Sequence, residues 1–198
     1  ASVTKLMTAL VALDECAPGD MVDITPEMCG IEGSSMYLRA GERYSVEELL
    51  CGLLLVSGND AATALALHTA GSEEAFAELM NEKAAELGMT GSHFANPHGL
   101  DAPGHRATAR DVARLMAECL EQPAIAEICA STQRTVGEKL LLNHNRLLKE
   151  YPRLHRRQNG LYYGRRALPG DLRRAGGDAP YLRHALRPRR LGRPHGAL

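Results

Sequence analysis

The sequence predicts a helix-rich domain with a few short strands, and three observations carry that reading. Five stretches repeat apolar residues at helical spacing. Three of these open on a Ser or Thr placed to accept from the first turn: Ser45, Ser72 and Thr108. The strand-like runs are short and lie between Gly- and Pro-bearing turns. With 198 residues, 44% hydrophobic and 24% charged, the chain is long enough for one domain with a buried core. Its longest apolar run, Leu53-Leu54-Leu55-Val56, is far too short to span a bilayer.

In chain order, residues 4–14 read as a helix bearing Leu6, Met7, Leu10, Val11 and Leu13, stopped by Pro18-Gly19. Residues 21–24 and 35–38 read as strands around glycines 30 and 33, and Ala40-Gly41-Glu42 as a turn. Ser45 with Glu48 forms a capping box opening a helix over 45–56 that is apolar on most sides. Gly58 interrupts it, and a second apolar helix follows over 60–69. Further helices are expected over 72–87, 108–121 and 124–130, with a strand at Thr135-Val136.

Two polar groupings stand out. Ser2 and Lys5 are three apart, so a helix brings hydroxyl and amine to one face. A serine needs a neighbouring base to become a nucleophile, and a lysine serves only if burial lowers its pKa. The plain alternative is a capping serine beside a surface lysine. Ser57-Gly58-Asn59 interrupts two apolar helices. Its side chains either face a cleft or satisfy a local turn. His93, His98 and His105 lie in a turn-rich loop without metal-ligand spacing, so they read as loop braces, with no metal or cofactor expected. The five cysteines lack close C-x-x-C spacing and define neither a zinc finger nor a disulfide framework.

Taken together these pieces resemble the serine D-alanyl-D-alanine carboxypeptidases, the low-molecular-weight penicillin-binding proteins. Ala1-Ser2-Val3-Thr4-Lys5-Leu6-Met7-Thr8 resembles that family's nucleophile motif, and Ser57-Gly58-Asn59-Asp60-Ala61 its second motif, Ser-x-Asn. Residues 94–101, His105 and Thr108-Ala109-Arg110-Asp111 resemble the loop and helix that follow. The resemblance covers residues 1–152. It implies an α+β fold of the β-lactamase/DD-peptidase kind, here mainly its helical subdomain with few short strands. It implies Ser2 as nucleophile, Lys5 as base, Ser57 as proton shuttle, and Asn59 holding both Lys5 and the substrate amide. The implied substrate is a peptidoglycan stem peptide ending in D-Ala-D-Ala, with β-lactams as covalent inhibitors and no nucleic-acid partner. The implied setting is extracytoplasmic, secreted or membrane-anchored. No signal peptide precedes the nucleophile motif, and the chain reads as an N-terminally truncated fragment.

The family's third motif, Lys-Thr-Gly, is absent from the 198 residues. It is expected just after Tyr151-Pro152, where the composition breaks: residues 1–152 carry a net charge of −11 and residues 153–198 a net +10. Dropping the first base of the Arg153 codon lets the codons of Gln158, Asn159, Gly160 and Leu161 encode Lys-Thr-Gly. Residues 153–198 therefore read as a frameshifted, poorly ordered Arg-rich tail following a partial catalytic domain. A genuine polyanion-binding tail is the alternative. Without the third motif the chain is expected to be catalytically crippled. A β-lactamase, a DD-endopeptidase or a non-catalytic peptidoglycan-binding protein are the competing readings. Against a class A β-lactamase, no Glu stands in a matching motif after Asn59.

Overall fold

In a computed structural model of the chain, residues 2–145 and Leu148 are described. The tail expected to be poorly ordered, 153–198, lies outside them. Among the described residues the elements follow in order: α1 Thr4–Glu15, β1 Met21–Asp23, a 3-10 turn Pro26–Met28, β2 Arg43–Ser45, α2 Val46–Leu55, α3 Asn59–Ala70, α4 Glu73–Glu86, α5 Ala109–Glu121, α6 Pro123–Ala130, β3 Gln133–Val136 and β4 Lys139–Leu142, the strands forming two small antiparallel pairs.

Helices α2, α4 and α5 begin at the caps read from the sequence. Ser45, Ser72 and Thr108 accept from the backbone N–H of Glu48, Ala75 and Asp111, and Glu48 reaches back to Ser45 N to complete the box. The nucleophile-motif helix α1 is central, packing on α2, α3, α4 and α5. Every residue of α1 from Thr4 to Ala12 is buried; exposure is confined to Ser2 and Val3 ahead of it and to Asp14 and Glu15 at its end. Leu10, Leu49, Leu53, Leu65, Phe76 and Leu115 anchor the shared core. Helix α5 presents Leu115, Met116 and Cys119 inward, and the Cys119 thiol reaches Leu6 O.

The strands depart from the sequence reading. Residues 35–38 are not a strand. Their amides are taken by side chains instead: Met36 N and Leu38 N donate to the Asp60 carboxylate, Tyr37 N donates to Ser35 Oγ, and Tyr37 takes a φ of 61° that breaks extended geometry. The partner of β1 is β2, in register Val22↔Tyr44, running directly into the Ser45 cap. The strand read at Thr135-Val136 extends into a hairpin with β4 across Gly137-Glu138, where Gly137 has a φ of 54°. Lys139 on β4 bonds both Glu42 Oε2 and Tyr44 Oη at 2.7 Å, tying the hairpin to β2. Among the described residues no helix is long and apolar enough to cross a membrane.

Candidate active site

Ser2, Lys5 and Ser57 meet at a cleft of about 420 Å³ walled by Leu6, Leu53, Leu54, Val112 and Met116. Both plain readings of the first pair fail. The N-cap of α1 is Val3 and makes no side-chain cap bond, so the Ser2 hydroxyl is not spent on the helix. It accepts from Ser57 Oγ at 2.9 Å. Lys5 is 3% exposed rather than a surface residue.

Ser57 reaches Ser2 because the α2–α3 turn is wound tightly. Ser57 has a φ of 58°, a region that few side chains enter. Gly58 N donates to Gly52 O, Asn59 N to Ser34 O, and His144 N to Leu55 O, pinning the turn on three sides. A Cβ at Gly58 would stand 2.8 Å from Asp60 Oδ1 and 3.2 Å from Met36 N, so glycine alone fits there.

The Lys5 amine donates to the carbonyl of His98 at 2.8 Å. Burial pushes its pKa down from 10.5 to about 8, against a smaller upward pull from the Asp60 charge. That carbonyl is held by a loop braced from several helices. His93 and Arg106 exchange backbone bonds to close the loop. Asn81 on α4 binds both Phe94 N and Phe94 O. Asn96 Oδ1 accepts from Gly99 N, and Thr8 donates to Pro97 O. The His98 ring faces Glu73, which also accepts from Thr63, and its carboxyl lies below the usual range chiefly because of His98. His105 Nδ1 accepts from Ala95 N, so its Nε2–H is left to donate to Thr4 Oγ1 at 2.9 Å; burial holds its pKa down, consistent with this neutral tautomer.

Asn59 does not join the other three. It is buried at the start of α3, and its amide donates to Glu32 O at 2.5 Å. The close approach of Gly33, whose Cβ would sit 2.8 Å from Asn59 Nδ2, matches that arrangement. The expectation that Asn59 holds Lys5 is therefore not what the geometry shows; Lys5 is held by His98 O. Two residues escaped the sequence reading. Asp60, 1% exposed, accepts from Ser35 Oγ, Met36 N, Leu38 N and Ala61 N, and so fixes the loop facing the turn. In the sequence it stands beside the Ser-x-Asn motif with no role assigned, as an acid in the first turn of an apolar helix, which the helix dipole explains equally well. Glu73 carried no signal beyond its place in a capped first turn.

Residues 1–156 match the family described as D-alanyl-D-alanine carboxypeptidase. The chain belongs to that family. Its relatives include the D-alanyl-D-alanine carboxypeptidases DacF of Bacillus subtilis, 37% identical across 77% of this chain and 42% of that protein, and DacC of Escherichia coli, 39% identical across 75% and 40%. A solved D-alanyl-D-alanine carboxypeptidase from Mycobacterium tuberculosis superposes with a TM-score of 0.72 at 38% identity, covering 77% of this chain and 60% of that one. Penicillin binding protein 6B from Escherichia coli gives 0.70 at 35% identity, covering 75% and 50%. The chain thus spans about two fifths of the length of these two curated carboxypeptidases. The fold is the DD-peptidase fold, represented by its helical part with few short strands.

Proposed function

We propose that this chain carries the nucleophile half of a serine DD-carboxypeptidase site, acting on peptidoglycan stem peptides that end in D-Ala-D-Ala. The observation that carries the reading is the Ser57–Ser2 hydroxyl contact beside a buried amine with a pKa near 8. Ser57 donates to Ser2, so the Ser2 proton is free to go to another acceptor. The neutral fraction of Lys5, which a pKa near 8 makes far larger than for an ordinary lysine, is that acceptor. Ser2 Oγ attacks the carbonyl between the two D-alanines, the C–N bond breaks, and the acyl group stays on Ser2. The proton held by Lys5 passes through Ser57 to the departing D-alanine amine. Water repeats the sequence on the ester and frees Ser2. Asn59 acts by fixing the turn that aims Ser57, through Glu32 O and Ser34 O.

β-Lactams, which present a comparable acyl carbon, acylate the same serine. The reaction belongs outside the cytoplasmic membrane, where the substrate is. The family match ends at residue 156, close to the composition break at 153, and this supports residues 1–152 as a partial catalytic domain followed by an unrelated tail. The second half of the oxyanion hole is assigned to the missing Lys-Thr-Gly strand, so residues 1–198 by themselves do not acylate.

The test is covalent labelling by a fluorescent penicillin, with release of D-alanine from a D-Ala-D-Ala peptide measured in parallel. A version with the reading frame restored after residue 152 and extended to full length labels and releases D-alanine. Ser2→Ala in that version does neither, and the 198-residue chain stays unlabelled. Labelling that survives Ser2→Ala, or an inert full-length version, overturns the assignment.

A further inference from the structure

Cys16, Asp20 and His68 have no part in the chemistry above. They gather at the far end of α1, a helix of 12 residues and so about 18 Å long, away from Ser2. One thiol sulfur, one carboxylate oxygen and one imidazole nitrogen all lie within 4.8 Å of one another. The three residues come from the C-cap of α1, the turn before β1 and the last turn of α3, and the packing of α1 on α3 brings them together.

We propose that Cys16, Asp20 and His68 form a three-ligand zinc(II) site, with water as the fourth ligand. Sulfur, nitrogen and oxygen from Cys, His and Asp are the donors zinc accepts in tetrahedral geometry. The electrostatics favour a cation independently of the donor types. Helices α1 and α3 both end beside the cluster, and each C-terminus carries a partial negative charge. Supporting contacts are present as well. Thr69 Oγ1 lies 3.4 Å from Cys16 Sγ, where it can donate to a thiolate. Ala17 N donates to Asp20 Oδ2 at 2.8 Å, which orients that carboxylate.

Bonds of roughly 2.0–2.3 Å require ligand atoms about 3.3–3.8 Å apart. The cluster has therefore to contract by at most about 1–1.5 Å, which exposed Asp20 and His68 side chains can supply by rotamer adjustment. On binding, the thiol proton leaves to solvent as the S–Zn bond forms; neutral His68 and ionised Asp20 supply lone pairs, and nothing is oxidised or reduced. The site would clip the ends of α1 and α3 to the chain entering β1.

The experiment uses the chelator-treated 198-residue chain titrated with cobalt(II), followed by back-titration with zinc. One equivalent should give a thiolate-to-cobalt charge-transfer band that zinc abolishes. Cys16→Ser should remove the band. His68→Asn and Asp20→Asn should each weaken cobalt binding more than tenfold, and Thr69→Val by about tenfold, in the range known for supporting residues. Circular dichroism checks each fold, and if Cys16→Ser fails to fold the His68 and Asp20 variants decide. A missing band overturns the proposal. So does a band that persists in folded Cys16→Ser, or affinity unchanged by both His68→Asn and Asp20→Asn, which would mean binding by a thiol alone.

Discussion

Replacing Lys5 by Met tests the central claim about the base without needing turnover. In the folded chain the amine titrates at about 8, against 10.5 ordinarily, because burial disfavours the ammonium. Below about pH 8 the amine is protonated in both states, and the folded state bears the cost of burying it. Between 8 and 10.5 the folded amine has lost its proton while the unfolded one keeps it, so stability rises with pH. Above 10.5 both are neutral and the rise ends. Over that interval the gain is about 3 kcal/mol. Other groups titrate in the same window, but they are common to wild type and Lys5→Met, so the difference between the two isolates Lys5. Urea unfolding of both at pH 7 and pH 10.5 provides the measurement. Wild type should gain about 3 kcal/mol relative to Lys5→Met on going to the higher pH. Parallel pH profiles would refute the reasoning, because an amine with an ordinary pKa is almost wholly protonated at neutral pH and cannot take the Ser2 proton.

Three further outcomes follow from the polar contacts. Asp60→Ala strands the buried amides of Met36 and Leu38, at about 1–3 kcal/mol each, so urea unfolding should show a loss of about 2–6 kcal/mol. Glu73→Gln removes a carboxylate held below its ordinary 4.5 chiefly by His98; its stabilisation is complete above that value and disappears as pH falls through the lower folded value. Acid titration of unfolding should therefore show wild type losing stability relative to Glu73→Gln below about pH 4.5. Ser45→Ala opens the capping box of α2 and should cost about 1 kcal/mol, read by thermal denaturation, with the fold unchanged.

What was legible in the sequence was whatever is encoded within one or two turns of chain. Ser45, Ser72 and Thr108 announce their helices because the N–H that each satisfies is three residues away. The strands were harder. Residues 35–38 have strand composition, but their donors are claimed by Asp60, some 22–25 positions distant. Propensity loses to a buried carboxylate with four donors. The site divides in the same way. Ser2 and Lys5 share a helical turn, and Ser57 sits in a visible break between helices. The partner of Lys5 is a backbone carbonyl 93 residues away, which no side-chain pattern could reveal. Asn59 was assigned to Lys5 from the resemblance, yet its amide is turned toward Glu32.

The choice of a carbonyl, rather than a carboxylate, as the Lys5 partner has a chemical consequence. A carboxylate within hydrogen-bond reach would hold the amine as an ammonium and raise its pKa. The His98 carbonyl fixes the nitrogen in position with a dipole only, so burial is left as the dominant influence. The two acids nearby are committed elsewhere. Asp60 is surrounded by four donors, and its charge raises the Lys5 pKa by less than burial lowers it. Glu73 is engaged by His98 and Thr63, on the ring side of the residue whose carbonyl meets Lys5. The acidic residues thus do structural work on the turn and the loop, and negative charge is kept from direct contact with the base. Moving either carboxylate into contact with Nζ would keep the motif intact by sequence while restoring an ordinary, protonated lysine.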